Sequence, residues 1–455
     1  FQAEDGIRDL VRSRGLGDVY KRQGEVRPVN TREIKALNDK FVINTYGERK
    51  LAFVRGSGSR LWDAEGKEYL DFFAGIAVVN LGHCHPAVTE ALCSQARTLV
   101  HVSNLYYIEP QARLAELLKS HSFADRWFFA NCGATANEAA IKLARRYWAE
   151  QGTPKPHIIT AEHSFHGRTL ATITATGQPK YHAGFEPMVP GFSYVPYDDL
   201  AALDAAITPE TGAIMLEAVQ GEGGVRVPHE AYLPAVRRLC DERGLLLILD
   251  EVQTGFGRTG KFWGFENFGV IPDMMVMGKG MSGGVYPITA TVYHEKFGNF
   301  FREDPFLHIS TCGGSEIGCF AALEVIRKTR EKNFLPNVAS LHRFFADRFD
   351  GLKHRYGDTG FSLRGIGLML GLEFKDELSA MFMVKLLFDN GIYAVYSGND
   401  PRVVQFLPPL VMNEREAAMA ARGIEKSLKE LSAGAGKNRR NETKRTGAPL
   451  GRGPT

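Results

Sequence analysis

The sequence predicts an α/β fold in which a mostly parallel sheet is covered by helices on both faces. Two apolar runs of strand length, 245–249 and Met274–Met277, are each followed at once by polar or glycine residues. Short, continuously apolar runs of this kind are typical of strands that are buried on both faces. A third run, Arg126–Ala130, leads through a glycine turn into a helical pattern, so that strand and helix alternate as in α/β chains.

The composition is that of an ordinary globular protein, and 455 residues allow two domains. The net charge of +3 comes from the two ends: residues 1–23 have a net charge of +1 and residues 432–455 one of +5, which leaves −3 for the body. The folded part therefore gives no indication of nucleic-acid binding. No apolar run approaches the length of a membrane span.

The six cysteines form neither a CxxC pair nor a metal-ligand spacing. We therefore expect reduced thiols, no metal site and a cytoplasmic protein. Residues 1–23 have no clear period, and we expect a non-native or disordered leader there, which we exclude from the fold.

The segment after the strand Arg126–Ala130 is a candidate anion site. Gly133 and Ala134 stand where a helical pattern begins, and such a turn presents free backbone N–H groups and the positive end of the helix dipole. A phosphate group suits this position. A glycine-containing helix cap without a ligand is the alternative.

Asp250 and Lys279 stand at the carboxyl ends of two predicted strands, where the chemistry of parallel sheets gathers. Pyridoxal phosphate needs both groups: a lysine that binds its aldehyde, and a carboxylate that keeps its pyridine nitrogen protonated. A lysine in an apolar pocket becomes a better nucleophile because its charged form is disfavoured. A solvated turn lysine and a capping aspartate are the alternative, but the pair favours this cofactor.

The stretches DEVQTGFGRTG at 250–260 and MGKG at 277–280 resemble the class III (omega) aminotransferases, in particular the acetylornithine, 4-aminobutyrate and putrescine aminotransferase group. The resemblance extends from about Asn38 to about Leu431 and implies the fold of the fold-type I pyridoxal-phosphate-dependent transferases. It implies a large domain at 86–329, and a small α+β domain to which 24–85 and 330–431 contribute. The Gly-rich, basic stretch 432–455 is expected to be a disordered tail.

The resemblance also implies the cofactor contacts. It places the cofactor phosphate on Gly133 and Ala134, an aromatic ring over the cofactor at Phe165, and the side chain of Val252 beneath it. Gln253 matches a partner of the ring hydroxyl. Asp250 and Lys279 are cofactor residues in the resemblance as well, and so are Ser310 and Thr311. The resemblance implies that Ser310 and Thr311 reach the phosphate of a neighbouring subunit, and therefore a homodimer with shared sites.

Three further residues match substrate positions of these aminotransferases. Arg168 matches the arginine that receives a carboxylate of the keto acid or the distal group of the amine, with a surface ion pair as the alternative. Glu222 matches a gate that pairs with a substrate-binding arginine. Ile76 stands where ornithine-type members carry Tyr, which argues against ornithine, although an ordinary core position is the alternative.

Gln405 departs from the pattern, because members acting on α-amino or γ-amino acids usually carry Arg there to bind the substrate carboxylate. Arg402 is a poor substitute, since its odd offset points it to the opposite face of a regular strand. Either the carboxylate is held elsewhere, or the amine donor has none at this point, as a diamine, an omega-amine or an amino-acyl thioester would.

We therefore predict a pyridoxal-phosphate-dependent aminotransferase. It would move an amino group from an omega-amine, a diamine or an N-acylated diamino acid to a keto acid, with 2-oxoglutarate as the expected acceptor. Lys279 would hold the cofactor and move the proton. An aminomutase or racemase with the same cofactor, and a non-catalytic protein of the same fold, are the alternatives.

Overall fold

The computed structural model describes residues 30–298 and 304–446, with side chains up to residue 433. The leader predicted at 1–23 lies outside the described residues. The chain falls into two compact units. One contains the described residues up to Gly56 together with Leu61–Glu68, and the other contains Ser57–Arg60 and the described chain from Tyr69 onward.

The first unit contains helix α1 (Thr31–Phe41) and most of two short strands. Those strands are β1 (Phe53–Ser57) and β2 (Arg60–Asp63). Thr31 joins the start of the helix to the turn after β2, because its backbone N–H and hydroxyl donate to the Glu65 carboxylate at 2.9 and 2.7 Å.

The second unit contains the other helices and strands. Its helices are α2 (Ala74–Ala77), α3 (Pro86–Thr98), α4 (Glu109–Lys119), α5 (Gly133–Glu150), α6 (Leu170–Ala175), α7 (Pro179–His182), α8 (Leu200–Ala205), α9 (Tyr232–Arg243), α10 (Glu316–Thr329), α11 (Phe334–Tyr356), α12 (Glu377–Asp389) and α13 (Glu414–Thr446). Its strands are β3 (Glu68–Asp71), β4 (Arg126–Ala130), β5 (His157–Ala161), β6 (Phe192–Val195), β7 (Thr211–Glu217), β8 (Leu246–Asp250), β9 (Met274–Met277), β10 (Thr289–Tyr293), β11 (Ser362–Ile366), β12 (Met369–Glu373), β13 (Ile392–Tyr393), β14 (Val395–Tyr396) and β15 (Val403–Phe406).

The largest sheet has seven strands in the order β4-β10-β9-β8-β7-β5-β6. Strands β9, β8, β7, β5 and β6 pair in parallel, and β10 runs antiparallel to both of its neighbours. Every residue of β7, β8, β9 and β10 is buried, because apolar cores form on both faces of the sheet. The predicted α/β fold with a mostly parallel sheet is confirmed.

A four-stranded antiparallel sheet, β11-β12-β15-β14, follows in the C-terminal part. Its apolar side chains share a core with helices α11, α12 and α13 and with Leu70 and Phe72. The domain boundaries at 86, 329 and 431 stay a prediction. No helix among the described residues is long and apolar enough to cross a membrane.

The last helix differs from the expected tail. Helix α13 runs from Glu414 to Thr446, so that it passes Leu431 and includes part of the stretch for which we expected disorder. Residues 432–446 contain no proline, and their alanines, lysines and arginines favour helix, which outweighs the two glycines at 434 and 436. The end of the tail, 447–455, lies outside the described residues.

Candidate active site

A cavity of about 430 Å³ lies where β7, β8 and β9 end. It brings together nine of the residues predicted from the sequence, which are Gly133, Ala134, Phe165, Arg168, Glu222, Asp250, Val252, Gln253 and Lys279. Four predicted residues are not among those that line it, namely Ile76, Ser310, Thr311 and Gln405. Strand ends and the glycine turn predicted four of these nine residues (Gly133, Ala134, Asp250 and Lys279), and the family resemblance predicted the other five.

The Asp250 carboxylate is held by three groups and is only 4% exposed. Its Oδ2 accepts a hydrogen bond from Asn137 Nδ2 at 2.7 Å and lies 2.9 Å from His166 Nδ1. Its Oδ1 accepts from the backbone N–H of Val252 at 3.0 Å. A buried carboxylate with this many partners has a fixed orientation.

Sequence reasoning missed Asn137 and His166. Asn137 lies one turn after Gly133 on helix α5, and its Nδ2 also donates to the backbone carbonyl of His166 at 2.7 Å. Two signals were present: Asn137 has helical spacing from the glycine turn, and His166 directly follows Phe165. Both are polar residues on segments that lead into the site.

Lys279 begins the turn after β9 and has φ = +40°, in the region that favours glycine. The loss of water around its amine lowers the pKa of Lys279 below the ordinary value. The carboxylates of Glu222 and Asp250 oppose this shift, because each stabilises the charged amine. The net effect favours an amine that can act as a nucleophile or base.

The glycines on both sides of Lys279 are required by close packing. A Cβ at Gly278 would lie 2.8 Å from Thr289 Cγ2, and one at Gly280 would overlap the Asn80 side-chain amide. Larger residues would displace the lysine from the cavity.

Helix α5 begins at Gly133, as the glycine turn predicts, with Cys132 as its N-cap. Gly167, at φ = +139°, passes very close to this helix start. A Cβ added at Gly167 would lie only 2.6 Å from Ala134 Cβ. The first turn of an 18-residue helix thereby forms one end of the cavity. Its dipole and N–H groups suit a phosphate.

Gln253 provides an independent indication of a polar ligand. Its Nε2 is buried and has no hydrogen-bond partner among the described residues. Buried donors are rarely left unpaired. A group with a ring hydroxyl would satisfy Gln253. The cavity therefore fits pyridoxal phosphate, because it offers the Asp250 carboxylate, the Lys279 amine, a helix start for the phosphate and the unpaired amide of Gln253.

Glu217 supports the wall on the β7 side. Its Oε2 accepts from the backbone N–H of Phe165 at 3.2 Å, and its Oε1 from that of Gly221 at 3.5 Å. Burial, aided by the charge of Asp250, raises the pKa of Glu217 well above its ordinary value. The protonated form is therefore favoured beside the Asp250 carboxylate.

The substrate-side residues have different surroundings. Arg168 is exposed, with its guanidinium 3.6 Å from the centre of the Tyr181 ring. Glu222 Oε2 accepts from the backbone N–H of Gly398 at 3.3 Å. Gln405 is buried, and its amide donates to the carbonyl of Gly221 at 2.9 Å.

Three further predicted residues lie outside the cavity wall. Ile76 has φ = +66° and is 39% exposed, and Thr311 is exposed. Ser310 Oγ accepts from the backbone N–H of Gly313 at 3.0 Å. Arg402 is held by two hydrogen bonds to Asp400, at 3.0 and 2.9 Å.

A lysine and a clamped aspartate at neighbouring strand ends, next to a helix start that suits a phosphate, define a pyridoxal-phosphate enzyme. Comparison with known proteins gives the family: residues 43–428 match the family model described as Aminotransferase class-III. The chain belongs to the class-III aminotransferases. It is therefore a pyridoxal-phosphate-dependent enzyme that moves amino groups between amine and keto acid substrates.

Known relatives and solved structures agree with this family. The chain is 48% identical over 404 residues to the acetylornithine aminotransferase of Thermosynechococcus vestitus, covering 87% of this chain and 97% of the relative. It is 45% identical to that of Caldanaerobacter subterraneus, covering 86% and 98%.

Among solved structures, the ornithine aminotransferase of Toxoplasma gondii has a TM-score of 0.85 at 31% identity, over 91% of this chain and 98% of that one. The acetylornithine aminotransferase of Elizabethkingia anophelis has a TM-score of 0.78 at 29% identity, over 88% and 100%. The chain thus shares both the sequence pattern and the fold of these enzymes.

Proposed function

We propose that this enzyme transfers the terminal amino group of an N-acylated diamino acid, of the N2-acetylornithine type, to 2-oxoglutarate. Relatives at 45–48% identity carry the name acetylornithine aminotransferase. The observation that carries the proposal is the charge of the cavity: among the described lining residues, Arg168 is the only arginine. A donor of this type has one carboxylate, and that group is remote from the reacting amine.

The neutral Gln405 agrees with such a donor. The carbon that bears the terminal amine has no carboxylate of its own, so no cation is needed beside it. The distal carboxylate would lie at Arg168, whose planar guanidinium suits two parallel hydrogen bonds. 2-Oxoglutarate would place its distal carboxylate at the same arginine.

Each wall residue has a proposed role. Pyridoxal phosphate supplies a ring that takes up electrons from the substrate carbon. Asp250, fixed by Asn137 and His166, would hold a proton on the ring nitrogen, and Gln253 would bind the ring hydroxyl. Lys279 would hold the cofactor and then carry the proton between substrate and cofactor, for which its lowered pKa suits it.

The remaining cofactor contacts would position the ring and the phosphate. Phe165 would stack on one face of the ring and Val252 would pack against the other. Gly133 and Ala134 would bind the phosphate through the start of helix α5. These roles agree with the lining of one cavity by all four residues.

A half-reaction without keto acid tests the donor. N2-acetylornithine, ornithine, 4-aminobutyrate and putrescine would each be mixed with the purified enzyme, and the absorbance change on amino-group uptake by the cofactor would be followed. We expect the fastest conversion with N2-acetylornithine. Conversion by diamines alone would contradict the proposed donor.

A diamine donor is the second candidate, and Glu222 is the observation in its favour. Its carboxylate lines the cavity and stabilises the charged form of the Lys279 amine, as it would that of a substrate ammonium group. The second ammonium group of a diamine could pair with it. In that case Glu222→Gln would raise the KM for putrescine, and an unchanged KM would exclude this candidate.

We also propose a homodimer with shared active sites, in which Ser310 and Thr311 reach the partner's phosphate. An exposed apolar surface supports it, formed by Leu105, Tyr106, Tyr107, Phe306 and Ile309. The two segments that carry these residues are joined by Asn104, whose side chain donates to the carbonyls of Ser310 and Gly313 at 3.1 and 2.8 Å. Apolar patches of this kind mark protein interfaces.

Mixing inactive subunits tests the shared site. Lys279→Ala and Thr311→Ala subunits would be unfolded and refolded together, so that a hybrid dimer regains one intact site. Recovered activity is the expected result. Activity no higher than that of the separate variants would contradict a shared site.

A cytoplasmic location is proposed as well, since all six cysteines are free thiols, and cell fractionation would test it.

A further inference from the structure

Tyr181 was not among the residues predicted from the sequence. Its ring lies close to two cations, the Arg168 guanidinium and the Lys180 amine. The Arg168 guanidinium lies 3.6 Å from the centre of its ring. The amine of Lys180 lies 4.9 Å from the same centre. A cation over an aromatic face is attracted by the ring, and the Tyr181 ring is closer to the exposed Arg168 guanidinium than the Phe165 ring, whose centre lies 4.9 Å away, so Tyr181 makes the larger contribution to its position.

The hydroxyl of Tyr181 makes a second connection. It donates to Asn399 Oδ1 at 2.6 Å. The backbone N–H of Asn399 donates in turn to the carbonyl of Glu222 at 3.1 Å. Tyr181 therefore contacts Arg168 through its ring and the segment that holds Glu222 through its hydroxyl.

That segment, 397–399, holds Glu222 at three points. The hydroxyl of Ser397 and the N–H of Asn399 donate to its carbonyl, and the N–H of Gly398 donates to its carboxylate at 3.3 Å. A Cβ at Gly398 would lie 3.2 Å from that carboxylate and 3.8 Å from the Tyr181 hydroxyl. The position of Glu222 is thus tied to that of Tyr181.

We propose that Tyr181 is a specificity-determining positioning residue, which fixes the Arg168 guanidinium relative to Glu222. It thereby selects donors with a carboxylate distal to the reacting amine over donors that lack one. The inference rests on the proposed function, because it takes Arg168 as the carboxylate site. Tyr181 itself touches no reacting atom and acts through Arg168.

The test compares two donors that differ only in the carboxylate, N2-acetylornithine and N-acetylputrescine. For wild-type enzyme we expect kcat/KM to favour N2-acetylornithine by about tenfold or more, as a charge-assisted pair would give. Tyr181→Leu removes the ring and the hydroxyl. We expect it to raise the KM for N2-acetylornithine about tenfold with little change in kcat, and to leave N-acetylputrescine unchanged.

Two variants sharpen the assignment. Tyr181→Phe keeps the ring, so most of the preference should be retained, within about threefold. Lys180→Met removes the other cation near the ring and its hydrogen bond to the Gly398 carbonyl, but leaves the ring over Arg168, so the loss of preference should be clearly smaller than in Tyr181→Leu. Thermal unfolding of each variant shows whether it is folded, and if Tyr181→Leu is not, Tyr181→Gln, which removes the aromatic face but keeps a polar side chain, replaces it with the same expected loss.

The outcomes separate the inference from the proposed function. Equal losses for both donors in Tyr181→Leu, or no loss for either, would overturn the role of Tyr181. A loss in Lys180→Met as large as that in Tyr181→Leu would overturn it too, because the preference would then depend on Lys180 and its bond to the Gly398 carbonyl and not on the ring over Arg168. If wild-type enzyme and Arg168→Gln both use the two donors equally well, the proposed carboxylate site fails, and the inference fails with it.

Discussion

The two sides of the cavity are built differently. On the cofactor side, the Asp250 carboxylate is buried and receives hydrogen bonds from a side-chain amide, an imidazole and a backbone N–H. On the substrate side, Arg168 is exposed and is held by an aromatic ring. Strand ends and a helix start form the first side, whereas loops and the short helix α7, distant from one another in sequence, form the second. The proposed catalytic groups are thus fixed by the sheet, whereas the residues proposed to choose the substrate lie on segments that can vary without disturbing it.

The largest loss should come from the cofactor side, at Lys279. Lys279→Ala should lower kcat by about 10⁴-fold, the upper end of what a positioned proton carrier contributes, because it also removes the group that holds the cofactor. Steady-state kinetics with N2-acetylornithine would measure it, with the exposed Lys261→Ala as the matched control. A loss below tenfold would contradict the role of Lys279.

A smaller loss is expected at Asp250. Asp250→Asn keeps the shape of the side chain but removes its charge, so the ring proton is no longer stabilised, and kcat should fall by about 10²–10³-fold. Cofactor content, read from bound absorbance, should change little, because the other contacts remain. Unaltered kcat at full cofactor content would show that this carboxylate does not act on the ring.

On the substrate side, a charge can be restored. Gln405 lies behind Gly221, and the longer side chain in Gln405→Arg is expected to reach past it into the cavity, where a cation for the carboxylate beside the reacting carbonyl should lower the KM for 2-oxoglutarate by about tenfold. The KM for N2-acetylornithine should stay the same, since the proposed donor has no carboxylate at that point. Equal changes in the two KM values would contradict the proposal that only 2-oxoglutarate places a carboxylate at this point.

The smallest effect concerns stability and pH on the cofactor side. Burial raises the pKa of Glu217, so the folded protein holds a proton that the unfolded chain releases. The stability from this group is fully present below the ordinary carboxyl pKa of 4.5 and is lost as pH rises toward the raised value. Glu217→Gln should therefore flatten the fall in Tm above pH 4.5.

Thermal scans across that range, with Glu222→Gln as the matched variant on the substrate side, would check this pH dependence. A Glu217→Gln protein whose Tm falls with pH as steeply as that of the wild type would contradict it.

The sequence predicts the cofactor side better than the substrate side, for a physical reason. Asp250 and Lys279 follow apolar runs, and Gly133 begins a helix, so local pattern alone brings them to one sheet edge. Asn137 and His166 were missed because their role depends on the approach of a helix and a loop to β8.

The substrate side depends on long-range packing. Tyr181 meets Arg168 and Asn399 through contacts that bridge 13 and 218 residues of sequence, respectively, which no local periodicity records. Gln405 could be recognised as a departure from the family pattern, but its hydrogen bond to Gly221 could not. The same holds for the continuation of helix α13 past Leu431, where composition alone suggested disorder.

The most direct test of the central claim is to identify the residue that carries the cofactor. Borohydride reduction of the enzyme with bound pyridoxal phosphate, followed by proteolysis and mass spectrometry, fixes the cofactor on the lysine to which it is bonded. The structure predicts that the modified peptide contains Lys279, and that prior conversion with N2-acetylornithine abolishes the label. A label on another lysine, or none with cofactor bound, would contradict the assignment of this cavity as the active site.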